Sequence, residues 1–112
     1  MAQTTRPETF ARIEGIVPRI VERFHPRWIL LFGSYASGMS TPESDVDILV
    51  VVQEPPERQE AYRFSSDLQA RFSLRLQLLF MGEREFEETR DVIGGIAYPA
   101  SHSGKVLYGQ NS

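Results

Sequence analysis

Two aspartates, Asp45 and Asp47, are the residues of this chain whose types and spacing most directly suggest chemistry. They stand at the start of the β-branched run 46–52, which predicts a buried strand. Alternate residues of a strand project to one face, so we expect the two carboxylates to converge. Like charges so close repel unless a cation lies between them, and oxygen ligands with open positions suit Mg²⁺. Phosphoryl or nucleotidyl transfer, with a metal bridging a triphosphate, is the chemistry that fits.

A glycine and a serine, Gly33 and Ser34, precede this pair of acids with ten residues between. Gly33 ends the short apolar run 28–32, and glycine allows a sharp turn and the close approach of a ligand. Ser34 supplies a hydroxyl and opens a possible helical turn, whose free N–H groups would attract phosphate. Taken singly, the Gly-Ser pair and the pair of aspartates each also fit ordinary turn or capping chemistry. Asp47 is harder to explain in that way, because it interrupts a run suited to full burial.

The elements that must position these residues follow from the hydrophobic pattern, which predicts an α/β (α+β) fold: a small mixed sheet with helices packed on it. The expected elements are a helix over residues 10–24, strands over 28–32 and 46–52, a helix over 61–72, a strand over 74–80, helices over 83–91 and 94–103, and a strand over 106–108. Pro18 leaves open whether the first helix kinks or divides in two. The connection between the first two strands is short for a crossover helix, so these strands are expected to be antiparallel or mixed.

Composition narrows the classes of function. A length of 112 residues suits one domain, expected over residues 1–112. A net charge of −3 argues against a dedicated nucleic-acid binder but is compatible with a nucleotide site. The absence of cysteine excludes disulfides and thiolate metal sites. No apolar run approaches the ~20 residues of a membrane span, and nothing resembles a signal peptide. We therefore expect a cytoplasmic protein with no membrane partner.

The Gly-Ser pair, followed after ten residues by Asp-x-Asp, forms a motif that resembles the signature of the DNA polymerase β-like nucleotidyltransferase superfamily. The matching residues are 31–36 (LFGSYA) and 44–50 (SDVDILV), and they look like the minimal, stand-alone branch of that superfamily. Residues 96–100 (IAYPA) and 104–108 (GKVLY) resemble the same branch. The resemblance spans nearly the whole chain after about residue 10 and implies a core like the palm of polymerase β.

This resemblance implies roles for the motif residues. Gly33 and Ser34 would hold the triphosphate of a nucleotide, with ATP expected, while Asp45 and Asp47 would ligate one or two Mg²⁺. An acceptor hydroxyl would attack the α-phosphate and release pyrophosphate. Minimal members of the superfamily are commonly paired with a small helical protein of the HEPN type. They act there as antitoxins, in some cases by transferring AMP to a tyrosine of the partner, so a homo- or hetero-oligomer is expected.

One position departs from the family pattern. The superfamily carries a third carboxylate on the next core strand, and the corresponding residue here is Gln77, which has no charge and cannot act as a base. The alternative function is therefore a catalytically weak or inactive nucleotide-binding subunit that neutralises its partner by contact. Arg75 could contact phosphate, although a structural charge is the favoured interpretation. Tyr35 and Tyr98 are expected to pack rather than to stack on a base.

A third possibility is an antibiotic-modifying nucleotidyltransferase. Such enzymes resemble this chain at the core but carry an additional domain for their small substrate, for which 112 residues leave no room. A partner protein or a second copy would then have to complete the cleft. The protein-directed functions are therefore preferred.

Overall fold

The elements of the fold follow closely the order expected from the sequence. A computed structural model of the chain describes residues 7–38, 44–91 and 104–109. In chain order the elements are α1 Pro7–Phe24, β1 Trp28–Phe32, α2 Ser34–Ser37, β2 Val46–Val52, α3 Arg58–Phe72, β3 Leu76–Gly82, α4 Glu83–Thr89 and β4 Lys105–Gly109. The expected helix over 94–103, together with Tyr98, lies outside the described residues. No helix within the described ranges is long and apolar enough to cross a membrane.

The strands form one mixed four-stranded sheet in the order β3-β2-β1-β4. β1 pairs antiparallel with both β2 and β4, and β2 pairs in parallel with β3. The α+β fold with a mixed sheet is thereby confirmed, as is the antiparallel arrangement of the first two strands. β2 lies in the interior of the sheet, with a strand hydrogen-bonded along each side.

Two separate apolar clusters cover the two faces of the sheet. On one face, residues of α1 and α3 pack with the even-numbered residues of β2; the fully buried members include Ile13, Ile16, Ile20, Ile48 and Val50. On the other face, α4 contributes Phe86, which packs with Leu30, Leu49 and Val51. Each large apolar side chain buried in this way contributes about 1.5–3 kcal/mol to the stability of the fold. The α1/α3 face buries more such side chains than the α4 face and therefore provides most of the core.

The helix α1 continues through Pro18, so the chain does not divide into two helices at this proline. A proline inside a helix removes one backbone hydrogen bond and crowds the preceding turn. Ile13, Ile16 and Ile20 are fully buried on both sides of Pro18, and their burial offsets that cost. The helix ends at Phe24, and His25 follows in the left-handed conformation with φ 49°.

The third strand begins two residues later than expected, at Leu76 rather than at residue 74. Ser73 adopts the left-handed conformation at the end of α3, with φ 53°. The N–H groups of Ser73 and Leu74 both reach back to the carbonyl oxygen of Gln69. Leu74 therefore belongs to the cap of the helix, because its N–H group closes the last turn instead of joining the sheet.

Candidate active site

Gly33 leaves β1 in a conformation that only glycine adopts readily, with φ 77°. The register of the sheet pairs Phe32 with Asp47, so Gly33 lies directly beside Asp47. A Cβ atom on Gly33 would overlap Oδ2 of Asp47 and would stand 3.2 Å from its Cγ. The carboxyl group of Asp47 thus occupies the space that any side chain at position 33 would fill.

The single helical turn α2 begins immediately after this glycine. The N–H group of Ala36 donates a hydrogen bond of 3.1 Å to the carbonyl oxygen of Gly33, which closes the turn. Tyr35 is only 8% exposed and packs into the α1/α3 core, so its predicted packing role is confirmed. Because β1 and β2 are antiparallel, the end of β1 and the start of β2 meet at one edge of the sheet. Gly33, Ser34 and Asp47 are therefore brought together, although ten residues separate Ser34 from Asp45.

The strand β2 alternates between core and site. Val46 and Ile48 are buried in the α1/α3 core, whereas Asp47 is half-buried and projects to the opposite face. Burial raises the pKa of Asp47 above its usual value, and the negative charge of Asp45 raises it further. The two acids are therefore within electrostatic reach of each other, in an environment that would favour a cation between them.

The parallel pairing of β2 with β3 brings two further polar residues to the acids. Gln77 is the register partner of Asp47, at the position where the family resemblance placed a third carboxylate. Arg75 lies just before β3, and its Nε atom is 3.6 Å from Oδ1 of Asp45. Across the ranges that the structure describes, no third acid, histidine or cysteine groups with the two aspartates. Among the described side chains, the site thus presents two carboxylates, one amide and one guanidinium.

The pairing of Arg75 with Asp45 is the contact that sequence reasoning missed. The N–H group of Val46 donates a 2.7 Å hydrogen bond to the carbonyl oxygen of Arg75, which fixes the two chain segments side by side. The available signal was the spacing: Arg75 precedes Gln77 by two residues, just as Asp45 precedes Asp47. The arginine is therefore a charge that pairs with an acid of the candidate site.

Comparison with known proteins identifies the family of the chain. The nucleotidyltransferase domain family matches residues 13–96. A protein adenylyltransferase MntA from Thermococcus cleftensis is 31% identical over 98 residues, which cover 88% of this chain and 99% of that relative. This chain belongs to the nucleotidyltransferase domain family. The resemblance drawn from the motif is confirmed.

Solved structures support the same fold for this nucleotidyltransferase domain. A toxin–antitoxin structure with AMP-PNP superimposes with a TM-score of 0.66 at 21% identity, over 87% of this chain and 73% of that one. A complex of a tri-AMPylated HEPN toxin from Shewanella oneidensis with an MNT antitoxin superimposes with a TM-score of 0.57 at 17% identity, over 92% of this chain and 73% of that one. At these identities the likeness establishes the shared α+β fold.

Replacing Gly33 by Ala is expected to damage the nucleotidyltransferase site through two separate effects. The left-handed backbone costs alanine about 1 kcal/mol, and the new methyl group would displace the carboxyl group of Asp47. Gly38→Ala is the matched control, because Gly38 also has a positive φ of 81° but a Cβ there meets no described atom within 4 Å. We expect both variants to melt lower than wild type, with Gly33→Ala alone losing affinity for AMP-PNP in calorimetry. Equal affinities in the two variants would contradict the close approach of Asp47.

The raised pKa of Asp47 predicts a pH dependence of stability in the absence of metal. The folded protein holds the Asp47 proton more tightly than the unfolded chain does, so stability falls as the pH rises through the folded pKa. This loss of stability disappears when the pH is below 3.8, the ordinary pKa of an aspartate. We expect the Asp47→Asn variant to melt a few degrees higher at most than wild type near pH 7 in a chelator, with the difference shrinking as the pH is lowered. A variant that melts lower than wild type near pH 7 would contradict this prediction.

Proposed function

We propose that this nucleotidyltransferase transfers AMP from Mg²⁺-bound ATP to a hydroxyl group of a HEPN-type partner protein in the cytoplasm, and so acts as an antitoxin. The named relative is a protein adenylyltransferase. Two proteins of the same fold come from toxin–antitoxin complexes, one with AMP-PNP and one with an AMPylated HEPN toxin. The observation that carries the proposal is the carboxyl group of Asp47, which fills the space left by Gly33 within reach of the charge of Asp45.

The residues at this edge of the sheet fit a divalent cation. Asp45 and Asp47 offer only oxygen donors, the kind of ligand that Mg²⁺ prefers. Burial and the neighbouring charge of Asp45 raise the pKa of Asp47, so a cation bound beside the two acids would stabilise the ionised carboxyl group. Asp45 and Asp47 would hold the ion, and Mg²⁺ bound there would neutralise charge on the triphosphate during transfer.

The Gly-Ser pair that follows β1 lies at the same end of the sheet as the two acids and supplies the remaining part of the proposed site. Gly33 turns the chain out of β1 beside the carboxyl group of Asp47, and Ser34 opens the α2 turn directly after it. We assign to these two residues the holding of the triphosphate. The acceptor oxygen forms a bond to the α-phosphorus while the bond to the pyrophosphate oxygen breaks, and pyrophosphate leaves. Gln77 cannot accept the proton of the acceptor hydroxyl, so in this scheme the proton passes to water.

A second candidate function rests on Gln77. Because an amide lies beside Asp47 where the superfamily pattern has a third carboxylate, the domain would be a slow or inactive enzyme that binds nucleotide. It would then neutralise its partner by contact alone. Both candidates imply a hetero-oligomer with the partner, and they differ only in whether AMP is transferred.

The experiment that separates them uses ATP labelled at the α-phosphate. The full chain is incubated with a HEPN-type protein as candidate partner, with Mg²⁺ or with a chelator, and the label on each protein is followed. Label on the partner that requires Mg²⁺ would support transfer. A stable complex without label, measured by light scattering, would favour neutralisation by contact. Neither label nor complex would overturn both candidates.

A further inference from the structure

The ion pair between Arg75 and Asp45 changes the charge of the proposed metal site. Nε of Arg75 is 3.6 Å from Oδ1 of Asp45, and the backbone hydrogen bond from Val46 to Arg75 holds the two segments in register. The side chains of Arg75 and Asp45 are 66% and 54% exposed. An ion pair this exposed contributes little to the stability of the fold.

The formal charges of four described residues, Asp45, Asp47, Arg75 and Gln77, bear on which ligand the site attracts. Asp45 and Asp47 supply two negative charges, Arg75 supplies one positive charge, and Gln77 is neutral, so the four residues carry a formal charge of −1. A third carboxylate in place of Gln77, without the arginine, would give −3 instead. Mg²⁺ releases its water reluctantly and binds weakly where few charged ligands compensate that loss. A free cation therefore gains little here and also meets the repulsion of the guanidinium group.

A cation that arrives with a nucleoside triphosphate meets the opposite situation. The phosphate oxygens complete the coordination of the cation, and the complex as a whole is negatively charged. The positive charge of Arg75 then attracts the incoming complex instead of repelling it. The same residue thus weakens the binding of the bare ion and strengthens the binding of the ion with its triphosphate.

We propose that Arg75 is a positioning residue that pairs with Asp45 and makes the binding of the divalent cation depend on the triphosphate. The inference rests on the proposed function, since it assumes that Asp45 and Asp47 form the metal site. In thermodynamic terms, Arg75 raises the coupling between the metal and the nucleotide, and each ligand increases the affinity for the other by the same factor.

The test measures the binding of Mn²⁺, a paramagnetic substitute for Mg²⁺, by electron paramagnetic resonance, with and without AMP-PNP. The variants are Arg75→Gln, Arg75→Lys and Arg58→Gln. Arg58 is an exposed arginine at the first residue of α3, and about 20 Å of helix separates it from the end that leads to Arg75. Arg58→Gln therefore reproduces the change in net charge away from the site.

We expect Arg75→Gln to bind Mn²⁺ alone about three- to tenfold more tightly than wild type. The factor by which AMP-PNP increases the affinity for Mn²⁺ should fall by a similar amount. Arg75→Lys, which keeps the charge, and Arg58→Gln should resemble wild type.

If Arg75→Gln bound Mn²⁺ alone no more tightly than Arg58→Gln, while the wild type bound Mn²⁺ with AMP-PNP, this inference would be wrong and the proposed function would stand. If no variant and no wild type bound Mn²⁺ with AMP-PNP, both would be overturned.

Discussion

Replacing Asp47 by Asn is expected to reduce AMP transfer about 10²–10⁴-fold, the range seen when one charged group in direct contact with the reaction is removed. Asn keeps the shape of Asp47 and fits the same space beside Gly33. It loses the negative charge that would hold the cation. The measurement is the rate of label transfer from ATP to the partner at saturating Mg²⁺.

The control for this prediction is Asp67→Asn. Asp67 is an exposed acid on α3 that pairs with Arg71 one turn away, so its replacement gives the same change in net charge on another element. Asp67→Asn should transfer AMP at the wild-type rate. An Asp47→Asn variant as active as this control would remove Asp47 from the site, and the proposed role of the motif would fail with it.

Replacing Gln77 by Asp is the substitution expected to raise activity most. Gln77 is in register with Asp47 on the neighbouring parallel strand and is exposed, so an Asp there needs no rearrangement of the sheet. A carboxylate at this position would add a metal ligand and a group able to accept the proton of the acceptor hydroxyl. We expect transfer to rise about 10²-fold or more, since general bases contribute about 10²–10⁴-fold. The rate of label transfer measures the gain.

Gln59→Asp provides the matched control, because Gln59 is an exposed glutamine on α3. The third negative charge in Gln77→Asp should also lower the melting temperature of the metal-free protein, whereas Gln59→Asp should leave it nearly unchanged. A Gln77→Asp variant that folds and binds AMP-PNP but gains no activity would show that the acceptor is also misplaced. That outcome would favour neutralisation by contact.

The parts of the fold that sequence predicts best are those with strong local signals. The bounds of β1 and β2 agree with the apolar runs that define them, because both strands are flanked by residues unsuited to a sheet. The predicted start of β3 is wrong by two residues, because Ser73 ends α3 in a left-handed conformation that serine rarely adopts. No pattern of hydrophobic residues reveals such a cap.

Some features of the candidate site are likewise visible in the local sequence, whereas others depend on how distant strands pair. The Gly-Ser and Asp-x-Asp motifs are visible in the sequence, and the antiparallel turn between β1 and β2 brings them together. The contact of Arg75 with Asp45 depends on the parallel register of β2 and β3, whose partners lie thirty residues apart. Local sequence motifs do not show that register. Gly33 was expected to leave room for a ligand, and the structure shows that Asp47 uses that room first.

The interior position of β2 has a consequence for the preorganisation of the site. Asp47 lies on a strand bonded to β1 on one side and to β3 on the other, so its backbone can open only when the sheet itself separates. Amide groups in such strands exchange with solvent at rates close to those of global unfolding. A ligand that reaches Asp47 therefore meets a backbone already fixed in place, and little of its binding free energy is spent on ordering the main chain at that position.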